Sequence, residues 1–240
     1  MKIDPLYILP NLFTGASIYL GVLSIMYASI GKFQLACWLI LLSLILDGLD
    51  GRVARMTGTT SKFGVEFDSL ADVITFGVAP AMILFFYSGI NYGKFGIAIA
   101  GLHVVFGAIR LARFNTTLRQ HEPNVFIGLP IPSAAVFIIG WLLFEMSISK
   151  SYPQFSSRIL LFLYLASLIV GLLMVSNVRY PSFKKINLQK VNFGKITVLL
   201  MIGLAILFAY PIYTIVIGIT FYVLLGPLRT LYHLLKRRFI

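Results

Sequence analysis

Five of the eight acidic residues in this 240-residue chain fall between positions 47 and 72: Asp47, Asp50, Glu66, Asp68 and Asp72. The sequence around them is apolar, and a carboxylate inside a membrane helix costs about 2.5–3.5 kcal/mol on insertion scales. Four aspartates on two adjacent helices therefore need compensation, and intramembrane acids are read first as functional. Their spacing pairs them. Asp47 and Asp50 are three apart and Asp68 and Asp72 four apart, so each pair shares one helix face. Four carboxylates together suit hard divalent cations, which take oxygen ligands. Two such ions can clamp the attacking and leaving oxygens of a phosphoryl displacement. Gly51, Ala54 and Gly64 remove bulk beside the acids, so a phosphate or a ring can approach the backbone, and Arg55 offers a bidentate fork for a phosphate. On the acids alone, a proton or ion relay and buried Asp–Arg pairs between helices stay open as alternatives.

The elements that must position these residues are membrane helices. The chain is 59% hydrophobic and 12% charged, with a mean hydropathy of +0.92, whereas soluble domains carry about 25% charged residues. Apolar runs of roughly 20 residues predict about eight spans, at 6–28, 33–55, 63–88, 94–113, 131–149, 156–177, 194–209 and 211–232. The expected fold is all-α, a polytopic transmembrane bundle forming a single integral membrane domain over 1–240. Its active-site core covers about 8–185 and a C-terminal helical pair about 194–235. The first run, from Leu6 to Tyr27, is longer than a signal-peptide core and shows no clear cleavage site, so it is expected to be a span. The lone Cys37 excludes an intramolecular disulfide. His103, His121 and His233 are scattered, without metal-ligand spacing.

The net charge of +12 could signal nucleic-acid binding, but the cations sit between apolar runs, as positive-inside topology and attraction to anionic headgroups require. With a cytoplasmic N-terminus, only Lys32, Lys94, Lys150 and Arg158 of the 20 Lys and Arg fall on outer segments. Both termini are therefore expected in the cytoplasm, which agrees with an even span count. On that topology Asp47 lies roughly 21 Å into a ~30 Å core, and Asp68 roughly 9 Å from its inner edge. The carboxylates of the two helices then meet at one level, in the cytoplasmic leaflet.

Together these residues read Asp47-x2-Asp50-Gly51-x2-Ala54-Arg55-x8-Gly64-x3-Asp68-x3-Asp72. This resembles the signature of the CDP-alcohol phosphatidyltransferase family at every fixed position. The resemblance implies that Asp47, Asp50 and Asp68 bind two Mg²⁺ or Mn²⁺ ions, and that Asp72 completes the cluster and acts as general base toward the acceptor hydroxyl. It also implies that Gly51, Ala54, Arg55 and Gly64 line a CDP pocket. Glu66 stands at a variable position of the signature and is unassigned. Pro10-Asn11-x2-Thr14 is similar to the family's first helix, where Asn11 and Thr14 would reach the nucleotide; a plain helix start reads the same residues equally well.

Further along, Arg110-Leu-Ala-Arg113-Phe-Asn115, Phe126-Ile-Gly128-Leu-Pro130-Ile-Pro132 and Asn177-Val-Arg179-Tyr-Pro181-Ser-Phe-Lys184 resemble the membrane-integral phosphatidylserine synthase branch. The departure is Ile131-Pro132-Ser133, where Ser-Pro-Ala is more usual. This branch implies CDP-diacylglycerol and L-serine as substrates, in the bilayer of the cell's inner or plasma membrane with the site toward the cytoplasmic leaflet, no nucleic acid, and a homodimer. Arg110 and Arg113, three apart near the inner end of one helix, could hold the serine carboxylate, and Asn115 its ammonium or hydroxyl. Positive-inside arginines at a helix end are the alternative. Two other readings stay open: an acceptor such as glycerol 3-phosphate or inositol phosphate, which would call for a denser basic pocket, and a cation-coupled transporter. The transporter has no need of the glycines and Arg55 at fixed spacing, and no inverted repeat is visible.

Overall fold

A computed structural model describes residues 8–117, 125–181 and 193–238. Arg119, His121, Lys184 and the rest of the basic 182–192 stretch lie outside them, as do the first seven residues. The helices are α1 (Ile8–Ser29), α2 (Phe33–Thr57), α3 (Lys62–Asp72), α4 (Ala79–Ser88), α5 (Lys94–Thr117), α6 (Ile131–Ile148), α7 (Pro153–Val175), α8 (Phe193–Ala209) and α9 (Pro211–Arg238). A π-helical segment, Val73–Val78, joins α3 to α4, so Lys62–Tyr92 is one long rod and the third of the expected spans. Only Tyr210 separates α8 from α9. Among the described residues seven helices are long and apolar enough to cross a membrane, and α8, at 17 residues, is slightly shorter.

Side chains are distributed as in a protein solvated by lipid. Leu12, Tyr19, Ile45, Phe95 and Ile169 are each more than half exposed, while Ser17, Ser24, Ser43, Thr75, His103, Glu145 and Ser167 are buried. Polar groups in a bilayer must find partners inside the bundle. Thus Thr75 donates to the Ser17 carbonyl at 3.2 Å, and the hydroxyls of Tyr87 and Ser156 both donate to the buried Glu145 carboxylate. Cys37 is completely enclosed.

The packing of α1 on α2 follows from a stripe of small residues. The buried positions of α1 are Pro10, Thr14, Ser17, Gly21, Ser24 and Ala28, alternately four and three apart. Small residues in this rhythm let two helix backbones approach closely without a hydrophobic driving force. On α2 the buried Ala36, Ile40, Ser43 and Asp50 keep the same rhythm, with the half-buried Asp47 between them. The acids therefore lie in the seam between the two helices.

The turn from α2 to α3 is short and sharply set. Gly58 adopts φ +69° and donates its N–H to the Ala54 carbonyl, closing α2 as a left-handed cap. Ser61 caps α3 by accepting from the Gly64 N–H at 2.9 Å. Pro80, which has no N–H, cannot satisfy a carbonyl four residues back. The π-helical segment just before it widens the helix, with Ala79 N–H donating to the Ile74 carbonyl instead. His103 of α5 lies beside the Phe76 carbonyl that Pro80 leaves without its helical donor.

The apolar runs of the sequence predict helices and no strand. Val125–Ile127 (β1) and Arg179–Pro181 (β2) form a two-stranded antiparallel ladder with Phe126 opposite Tyr180. Gly128 follows at φ +77°, donates to the Val178 carbonyl at 2.8 Å, and would drive any Cβ into the Met174 carbonyl. Tyr180 is fully buried and donates to the Val223 carbonyl of α9 at 3.2 Å.

Candidate active site

The second half of α2 and the middle of α3 bring Asp47, Asp50 and Asp68 together, with one carboxylate oxygen of each within 4.8 Å of the others. Like charges held this close in a bundle require a counter-charge. Asp50 receives a neutral donor from the neighbouring helix: Thr14 of α1 donates to its Oδ2 at 2.7 Å. Asp47 Oδ1 is buried with no hydrogen-bond partner, and so is Asp72 Oδ1. Three converging carboxylates, one of them with an orphaned buried oxygen, are the donor set that a hard divalent cation takes, so these residues fit the ions expected from the sequence.

The expected group of four resolves into three plus one. Asp72 is one turn above Asp68, against Asp47, and outside the tight group. The cation that acts on it is Arg110 of α5, itself buried and laid over the Phe114 ring at 5.3 Å. Helical rise accounts for the offset, since four residues carry Asp72 roughly 6 Å along the axis from Asp68.

Beside the acids is a cleft of about 180 Å³, and all six residues expected to meet the nucleotide line it: Asn11, Thr14, Gly51, Ala54, Arg55 and Gly64. Asp50 and Asp68 form part of its wall. A Cβ on Gly51 would sit 3.3 Å from the Arg55 guanidinium, so the missing side chain is what lets Arg55 lie back over α2. A Cβ on Gly64 would approach the Ser61 hydroxyl at 3.2 Å and the Asn11 side chain at 3.7 Å. Thr59, Thr60 and Ser61 also line the cleft and were not singled out from the sequence. The readable signal was the polar run just before Lys62, a helix start with Ser61 as its cap.

The three residues expected to hold the acceptor separate. Arg110 faces Asp72. Arg113 turns the other way: its guanidinium donates to the Val175 carbonyl at 3.0 Å, the Ser176 carbonyl at 3.3 Å and the Asn177 side chain at 2.7 Å, closing the end of α7. Asn115 donates to the Ser69 hydroxyl at 3.0 Å and to Glu66 at 3.4 Å, across to α3.

A family model described as CDP-alcohol phosphatidyltransferase matches residues 7–170. A protein of Helicobacter pylori named CDP-diacylglycerol--serine O-phosphatidyltransferase is 50% identical over 236 residues, which is 98% of this chain and 96% of that one. The archaetidylserine synthase of Methanothermobacter thermautotrophicus is 38% identical over 182 residues, 75% of this chain and 72% of that protein. A Methanocaldococcus jannaschii protein with the same name as the Helicobacter one is 40% identical over 147 residues, 60% and 63% of the two chains. The family match takes in the acid cluster, the cleft and every helix from α1 into α7, and the Helicobacter likeness runs nearly end to end: the chain belongs to the CDP-alcohol phosphatidyltransferase family.

Proposed function

We propose that this membrane enzyme is a phosphatidylserine synthase, which transfers the phosphatidyl group of CDP-diacylglycerol to the hydroxyl of L-serine and releases CMP. The observation that carries the reading is the convergence of Asn11, Thr14, Gly51, Ala54, Arg55 and Gly64 on one cleft whose wall includes Asp50 and Asp68. The names of the Helicobacter and Methanocaldococcus relatives support serine as the acceptor.

In this reading the acyl chains lie in the cytoplasmic leaflet of the cell membrane and the cytidine diphosphate enters the cleft. Gly51 and Gly64 let the nucleotide approach the backbone, and Arg55 pairs with a phosphate oxygen. Asp47, Asp50 and Asp68, with Asp72 behind them, would hold two Mg²⁺ or Mn²⁺ ions, whose chemistry is neutralisation of the diphosphate and of the leaving group. Thr14 fixes the orientation of the Asp50 carboxylate through its hydrogen bond. Asp72 takes the proton of the serine hydroxyl. That oxygen bonds to the phosphorus bearing diacylglycerol, the bond from this phosphorus to the bridging oxygen breaks, and CMP departs with that oxygen. Holding both substrates in line contributes much of the remaining rate.

The test is CMP release by the purified protein with CDP-diacylglycerol and Mg²⁺ or Mn²⁺, adding serine, glycerol 3-phosphate or inositol phosphate separately. Release with serine alone, abolished by chelation, is the expected result. Release with a phosphate-bearing acceptor would keep the family and overturn the serine assignment. No release with any acceptor would reopen a cation-coupled transporter.

A further inference from the structure

A second cleft, of about 350 Å³, opens between the start of α3 and the end of α5, where Lys62, Glu66, Phe114 and Asn115 line it. It shares Thr60, Ser61 and Val65 with the nucleotide cleft, so ligands in the two would lie side by side. Its charged groups are one carboxylate and one ammonium, joined by the Asn115 amide and the hydroxyls of Thr60 and Ser61, a set matched to a small zwitterion. Glu66 is exposed, and its contact from the Asn115 amide is long at 3.4 Å; the same amide makes its shorter bond to Ser69. Glu66 thus keeps strong acceptor capacity toward a cation in the cleft. Glu66, Ser69 and Asp72 are successive i, i+3 positions and form a ladder along α3 from this cleft to the acid cluster. Arg113, the other charged candidate at this end of α5, is committed to the end of α7.

Building on the serine reading above, we infer that Glu66 is the specificity-determining residue for the acceptor. Its carboxylate receives the acceptor's ammonium, while Lys62 faces the acceptor's carboxylate. A fixed negative charge at this position also repels acceptors that carry a phosphate dianion, since like charges brought together at a binding surface count against the wrong partner. Selection therefore comes from one attractive contact and one repulsive one on the same side chain.

The test compares the full-length protein with Glu66→Gln and Glu66→Asp, measuring steady-state CMP release from CDP-diacylglycerol with L-serine and with 3-hydroxypropionate, which is serine without its amine. Loss of a charge-assisted hydrogen bond predicts a rise in serine KM of about 10- to 100-fold in Glu66→Gln. The KM for CDP-diacylglycerol should stay at its wild-type value, the preference for serine over 3-hydroxypropionate should collapse, and Glu66→Asp should recover part of both. Unchanged serine KM and preference in Glu66→Gln, in an enzyme that uses serine, would overturn this inference and leave the synthase reading standing. A CDP-diacylglycerol KM that rises in parallel would overturn it too, by marking Glu66 as structural. A wild-type enzyme that ignores serine and uses a phosphate-bearing acceptor would overturn both readings.

Discussion

Thr14 and Asp72 divide the labour around the acid cluster, one orienting a carboxylate and the other standing apart from the tight group. A donor that fixes a metal-binding carboxylate typically changes metal affinity about 10- to 100-fold. Thr14→Val keeps the shape and deletes the 2.7 Å bond to Asp50, so the Mg²⁺ or Mn²⁺ concentration for half-maximal CMP release should rise by roughly tenfold or more. Asp72→Asn keeps the size and removes the proton acceptor, so turnover should nearly vanish while CDP-lipid binding persists. Normal turnover in that variant would refute its role as base. The identity of these residues was readable from fixed spacing on two helix faces. Their division into three plus one was not, because it depends on how far along α2 the helix α3 is set, and neither was the approach of Arg110 to Asp72 from a helix some 40 positions away. For the same reason the sequence did not separate Arg110 from Arg113. Two arginines three apart look equivalent until the end of α7 arrives to claim one of them.

At the scale of elements, α1 and the π-helical segment meet with no spare volume. A Cβ on Gly21 would lie 2.9 Å from the Thr75 hydroxyl and 3.0 Å from its Cα, three residues beyond Asp72. Overpacking of this kind costs about 1–3 kcal/mol. Gly21→Ala should therefore lower both the melting temperature in detergent and the turnover number, while Gly101→Ala, where the new methyl meets nothing within 4 Å, should lower neither. The spans themselves were legible because continuous apolar runs leave few alternatives in lipid. The π-helical widening was hidden, since Gly77 and Pro80 are common enough in membrane helices to carry no distinct signal. The β1–β2 ladder was hidden for another reason: each strand has three residues, too few for a period, and its partner lies more than 50 positions away.

Across the whole molecule the two ends of the bundle carry different chemistry. The acid cluster sits in the second half of α2 and the middle of α3, whereas Glu145 sits where α6 ends and α7 begins, held by Tyr87 and Ser156. The second site ties α4, α6 and α7 together and touches none of the residues placed in the reaction. Glu145→Leu leaves two half-buried hydroxyls without their acceptor, at a cost of about 1–3 kcal/mol. The expected outcome is a lower melting temperature with KM for CDP-diacylglycerol unchanged; a raised KM would tie this end to the site. Cys37, the sole cysteine and fully enclosed, has a practical consequence. The folded protein is a blank toward maleimides and other thiol probes, so a cysteine introduced on any connecting loop reports its own side of the bilayer with no background to subtract. The native thiol itself becomes reactive only when the bundle opens, which makes it a built-in gauge of unfolding.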